Sequence, residues 1–272
     1  MKDILNISAM YFSPTGTTEK IVKGIANNLM IKFNCSDINY INFNRPETRQ
    51  MKQSFSKDDL VVFGVPVIAG RVPNVLLKYL QTIIGNNSLT VAIVVYGNRD
   101  YDDALIELKD ILDTNGFKVI AGGAFIGEHS FSKILAKNRP DDKDMSVVND
   151  FTKQIYDKIT NGNFDTAKIK GNIPYRDYYK PKDKEGNPVD FRKIVPKTNV
   201  NCINCKVCTE VCPVGSIDYN DVSKLNGICI KCCACIKKCP VDAKYFDDVN
   251  YLNHKHELEV EFTKRKEPEI FL

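Results

Sequence analysis

At 272 residues and 30.8 kDa, the chain is longer than one core usually grows and accommodates two ordinary domains. Its formal charge is +4, and residues 1–165 balance at 19 basic and 19 acidic side chains; the small excess therefore lies in residues 166–272 and argues against a nucleic-acid surface. The longest apolar runs, 61–70 and 89–96, are about half of the roughly 20 residues a membrane span needs, and Met1-Lys2-Asp3-Ile4 lacks the pattern of a signal peptide, so we expect a cytoplasmic protein with no membrane insertion.

Along the chain, branched apolar runs alternate with helical patterns. The runs predict strands over Ile4–Phe12, Asp37–Phe43, Leu60–Val65, Leu89–Tyr96 and Lys118–Ile126. Helices are expected over Thr18–Lys32, Asn74–Ile84, Tyr101–Asn115 and Asp144–Ile159, the third stopped by Gly116. Such alternation specifies an α/β fold: a doubly wound, five-stranded parallel sheet with its ligand at the carboxyl ends of the strands. Residues 1–165 form this first domain.

From residue 166 to 197 the periodicity fades and Pro174, Pro181, Pro188 and Pro196 interrupt a charged stretch, which reads as a linker. Residues 198–250 hold an internal repeat. Cys202, Cys205, Cys208, Cys212 and Pro213 recur 27 positions later as Cys229, Cys232, Cys235, Cys239 and Pro240. Residues 251–272 read as a charged tail.

Each unit reads C-x2-C-x2-C-x3-C-P, the spacing in which three thiolates grip one [4Fe–4S] cubane and the fourth reaches across to the other. That places Cys202, Cys205, Cys208 and Cys239 on one cluster, and Cys229, Cys232, Cys235 and Cys212 on the second. Zinc motifs usually offer two cysteines per knuckle, and the exchanged fourth ligands leave none over for a tetrahedral zinc. Two cubanes of charge about −2 each would offset the basic excess of residues 166–272. Cys233 and Cys35 fall outside the pattern and are read as packing residues, with a spare ligand or a tuner of cluster potential as the alternative for Cys233.

Ser13-Pro14-Thr15-Gly16-Thr17-Thr18 follows the first expected strand and opens the first helix. A phosphate suits that position: helix amides point at it, Gly16 permits close approach, and the hydroxyls add donors. Neither a P-loop lysine motif nor G-x-G-x-x-G is present. A Ser/Thr-rich helix cap is the plainer alternative.

With these residues in place, the loop resembles the FMN-phosphate loop of flavodoxins, and the domain order resembles the flavodoxin–ferredoxin fusion proteins of anaerobic bacteria and archaea. The resemblance implies FMN in the first domain and two [4Fe–4S] clusters in a small α+β bacterial ferredoxin-like domain. It also implies two ring-binding loops, Pro66, Val67, Ile68, Ala69 and Gly70 after the third strand and Tyr96, Gly97, Asn98, Arg99 and Tyr101 after the fourth, with Tyr101 at the position that stacks on the flavin. The first loop lacks the usual aromatic, and Asn98 and Arg99 stand where acidic residues are common. A cation beside the ring would favour the reduced anion. His129 falls at the same sheet edge, where a surface or capping role stands beside proton delivery. His254 and His256, in the charged tail, are expected in solvent.

The resulting expectation is electron transfer between two clusters and FMN, joining one- and two-electron steps, with other redox proteins as partners. A flavin-dependent reductase of a small organic substrate, fed by the clusters, is the alternative. A cluster-based redox sensor leaves the phosphate loop unexplained.

Overall fold

In the computed structural model, residue 4, residues 6–183 and residues 185–272 are described. Leu5, within the first expected strand, and residues 1–3 lie outside them. The first part of the chain runs β1 (Asn6–Tyr11), α1 (Thr17–Phe33), β2 (Ile38–Asn42), β3 (Asp59–Pro66), α2 (Leu77–Leu80), β4 (Leu89–Tyr96), α3 (Ala104–Thr114), β5 (Lys118–Ile126) and α4 (Asp142–Thr160). β1 pairs in parallel with β2 and β3, β3 with β4, and β4 with β5. Every residue of β4 is buried, as a strand covered on both faces requires. Strand alternation divides the core in two: Met10, Phe12 and Phe63 pack on one face, Ala9, Tyr11 and Val62 on the other beneath α1 and α4. α1 closes on Asn34 in the left-handed conformation, and α4 opens on an Asp141/Asp144 capping box.

The helix expected over Asn74–Ile84 is shorter. A 3₁₀ turn at Asn74–Leu76 leads into α2, which stops at Leu80. Thr82, Ile83 and Ile84 are β-branched, and Ile84 bridges to Ser54 instead of extending the helix.

The remainder comprises β6 (Lys197–Thr198), α5 (Val207–Glu210), α6 (Ala234–Lys237), β7 (Lys244–Tyr245), α7 (Val249–Glu261) and β8 (Glu269–Phe271). β6 and β7 form an antiparallel ribbon. The 27-residue repeat extends to the backbone: Asn204 and Lys231, Lys206 and Cys233, and Gly215 and Asp242 all have positive φ at equivalent positions. The expected five-stranded parallel sheet gains a sixth strand, because β8 pairs antiparallel with β5 and gives the order β2-β1-β3-β4-β5-β8. The tail thereby covers an edge that β5 would otherwise leave unpaired.

The stretch read as a linker also packs on the first domain. The Ala167 amide donates to the Val119 carbonyl, that of Tyr179 to Ala69, and Tyr178 Oη to Val72. Among the described residues no helix is long and apolar enough to cross a membrane.

Candidate functional site

A cavity of about 270 Å³ opens at the carboxyl edge of the sheet, where the loops after β1, β3, β4 and β5 converge. Small-molecule pockets typically span roughly 300–1,000 Å³, so this one is close to the lower end. Pro14 and Thr15, the 66–70 loop, and Tyr96, Gly97 and Arg99 line it, as do Asp100 and His129. The opposite wall comes from elements that sequence reasoning did not bring here: Tyr179, Pro181 and Phe191 of the 166–197 segment, Ile230–Cys232 of the second repeat, and His254 and Leu258 of α7. One signal was legible in advance. Tyr251, His254 and Leu258 recur at helical spacing and are all buried on one side of α7, although Val249, Leu252 and Val260 of the same helix are exposed. The expectation that His254 lies in solvent is thus corrected; His256, on the other face, is exposed.

The phosphate-type loop is held by its own residues. Ser13 Oγ accepts the Glu19 amide of the first turn of α1 at 2.9 Å, so this hydroxyl is engaged within the protein, while the N-cap position itself is Gly16. Asn44, not singled out in the sequence, accepts the Ser13 amide and donates to the Ser13 carbonyl. Gly16 adopts φ +96°, and open space surrounds the position a Cβ would take. The amides of Thr17 and Thr18 have no acceptor among the described residues, and the Thr18 hydroxyl is buried without a partner. Thr15, Gly16 and Thr17 line a second, open pocket together with Lys20, Arg139 and Lys237, and Thr15 borders both pockets. The unpaired amides are donors suited to a phosphate monoester, whereas Lys237 is paired with Glu128, which also lines this pocket, Arg139 with Asp144, and Lys20 donates to the Pro140 carbonyl.

A parallel sheet in the order 2-1-3-4-5, with a cavity at the carboxyl ends of its strands, is the flavodoxin arrangement. This part of the chain is flavodoxin-like in fold. No family model and no curated relative matches the chain. Similar solved structures include a flavodoxin from the domain Archaea (16% identity, covering 57% of this chain and 99% of that chain, TM-score 0.41). A second is oxidised flavodoxin 1 from Bacillus cereus (15%, 56% and 97%, TM-score 0.41). A third is rubredoxin oxygen:oxidoreductase from the anaerobe Desulfovibrio gigas (15%, 57% and 36%, TM-score 0.38).

Two residues of the loop after β4 are engaged elsewhere. Tyr101 is buried, donates from Oη to Glu269 of β8 at 3.0 Å and packs on Tyr96; it does not reach the cavity, and the aromatic wall there is Tyr179. Asn98 donates to the carbonyls of Phe262 and Lys264 and accepts the Lys266 amide, so its side chain secures the tail. Arg99 does line the cavity, with its guanidinium 4.8 Å from the Tyr179 ring centroid. Asp102 pairs with it directly, so the cavity is bordered by an ion pair and not by the lone cation expected from the sequence. Arg71, beside the first loop, is held by both carboxylate oxygens of Glu107 and lies between Tyr175 and Tyr178, fastening the 166–197 segment over that loop.

The cysteines gather in two chambers. Cys212, Cys229, Cys232 and Cys235 line one together with Cys233, and Cys202, Cys205, Cys208 and Cys239 line the other, so each chamber takes one cysteine from the other repeat. Cys232 also lines the sheet-edge cavity. The Ser216 amide donates to Cys212 Sγ at 3.3 Å and the Ala243 amide to Cys239 Sγ at 3.2 Å, equivalent bonds in the two units. Burial pushes the Cys232 and Cys235 thiols well above their ordinary range, so thiolates there call for a compensating cation. Among the described residues, no three His, Cys, Asp or Glu side chains are placed to hold a single metal ion. A quartet of cysteines around an apolar chamber suits a multi-iron cluster. Cys233 is buried against Tyr251, and Cys35 packs at the edge of the core.

Proposed function

We propose that the chain is an electron-transfer flavoprotein that binds FMN at the sheet edge and two [4Fe–4S] clusters in the cysteine chambers. The observation that carries this reading is Cys232, which borders both the sheet-edge cavity and the chamber of Cys212, Cys229 and Cys235. When bound, FMN exchanges two electrons and each cubane one, so their union links pair and single-electron traffic. The protein's own part is to bind, orient and exclude water. The Thr17 and Thr18 amides and the Thr15 and Thr18 hydroxyls hold the phosphate, while the 66–70 and 96–99 loops flank the ring. Tyr179, Phe191 and Leu258 keep water from it. The amide bonds to Cys212 and Cys239 lower the charge density on sulfur and so raise cluster potential.

Anaerobically prepared protein should contain close to eight iron, eight acid-labile sulfide and one FMN per chain. Stoichiometric zinc, or FAD in the acid extract, sinks the reading. In Cys239→Ala the cluster of Cys202, Cys205 and Cys208 should be lost and the other retained; loss of the Cys229 cluster alone would reverse the ligand exchange.

The covered cavity favours a second reading, a flavin-dependent reductase. Tyr179, Phe191 and His254 form a wall that shields the ring from a partner protein. Steady turnover of a small organic acceptor without any protein partner would select it.

A further inference from the structure

His129 follows β5 and belongs to the cavity wall, and its ring is fixed from two sides. Nδ1 accepts the backbone N–H of Phe131 at 3.1 Å, so in the neutral ring the proton resides on Nε2. On the other side lies Gly97, where a Cβ would stand 2.3 Å from the imidazole Cδ2; any larger residue displaces the ring. Phe131 meets the imidazole edge-on, with centroids 5.3 Å apart. Nε2 makes no hydrogen bond among the described residues, yet it is not one of the sealed polar atoms left without a partner. Its N–H is therefore free for whatever the cavity holds. Burial, reinforced by His254, Lys237 and Arg99, pushes the imidazole down to about 4, so the ring is neutral at physiological pH.

We propose that His129 is a positioning residue that donates a hydrogen bond from Nε2 to the flavin ring and stabilises its reduced, anionic state, and that Gly97 is glycine to make room for it. This rests on the FMN reading above. A hydrogen bond strengthens when its acceptor gains negative charge, so the donor holds reduced flavin more tightly than oxidised flavin.

The test is an anaerobic titration of the two-electron flavin couple in the full-length protein, alongside the dissociation constant of oxidised FMN. His129→Phe keeps the ring and removes the donor; it should weaken the hold on reduced relative to oxidised flavin about tenfold, a fall of about 30 mV for a two-electron couple. His129→Gln retains an N–H and should stay within about threefold of wild type. Gly97→Ala should behave as the Phe variant. Equal shifts in the Phe and Gln variants, or an unmoved potential in His129→Phe, would overturn the assignment. Nitrogen NMR of the imidazole in the flavin-free full-length chain gives a readout without the cofactor: an Nε2-protonated neutral ring is expected, and an Nδ1-protonated or charged ring at neutral pH contradicts it. A wild-type chain that binds no FMN overturns the flavin reading, and this one with it. Bound FMN with an unmoved potential overturns the role of His129 alone.

Discussion

Thr18 stands at the mouth of α1 with a buried hydroxyl that bonds nothing in the protein. A buried, unpaired hydroxyl contributes nothing to folding, so Thr18→Val should leave the stability of the flavin-free chain unchanged or slightly raised. If the hydroxyl meets the phosphate, the same variant loses a charge-assisted bond of about 1.5–3 kcal/mol and binds FMN at least tenfold more weakly. Thermal unfolding without flavin and fluorescence titration with FMN separate the two effects; a destabilised chain with unchanged FMN affinity would contradict the role. Cys233 illustrates the opposite case. It lies beside Cys232, but its Sγ is 3.5 Å from Tyr251 Oη and it packs with Ile194 and Phe246. Cys233→Ala should lower stability by about 1–2 kcal/mol through the cavity it leaves, and retain eight iron per chain. An iron count near four would make it a ligand.

At the level of elements, the last ten residues act as a latch. Asn98 holds the backbone at Lys264 and Lys266, Arg139 donates to the Lys266 carbonyl, Arg265 pairs with Asp141, and β8 pairs with β5. These contacts fasten α7, and with it His254 and Leu258, over the cavity. Deleting residues 263–272 should speed FMN dissociation by an order of magnitude or more, measured by flavin release into a flavin-scavenging apoprotein; an unchanged rate would show that α7 is held without the latch. Acid should loosen the same contacts. Arg265 holds the Asp141 carboxyl well below its ordinary value of 3.8. A carboxyl whose value is depressed in the folded state stabilises that state above its unfolded value, and this stabilisation is lost as pH falls through the folded one. Hydrogen exchange at the amides of residues 269–271 should therefore accelerate, relative to the intrinsic rate, once the pH drops below about 4. Arg265→Gln should abolish that acceleration.

For the whole molecule, the division at residue 165 follows composition more closely than it follows stability. Residues 1–165 alone would lose β8, the aromatic contacts of Tyr175 and Tyr178 with Arg71, and the bonds that Asp103 receives from Asn172 and Arg176. With a few of these contacts worth roughly 1 kcal/mol each, the fragment should unfold about 10 °C or more below the full chain and associate through the bare β5 edge. Calorimetry and size-exclusion chromatography of the fragment would show this, and a monomer as stable as the full chain would refute it. β6 to β8 and α5 to α7 escaped the sequence reading, but the five parallel strands and the helices α1, α3 and α4 could be read from it, because each rests on local periodicity. So could the position of the Ser13–Thr18 loop, which runs from the end of β1 into α1. Which side chains face the cavity was legible only in part: Pro14, Thr15, the 66–70 loop, Tyr96, Gly97 and Arg99 do line it. Tyr101 fitted a family position but turned to Glu269, Asn98 was taken up by the tail, and Tyr179 and His254 arrived from segments read as linker and solvent-exposed tail. An exposed sheet edge and an open cavity must be covered by something, and nothing local in a chain says which distant segment will do it; only the tertiary structure, in which β8 pairs with β5 and α7 is packed over the sheet's carboxyl edge, decided that.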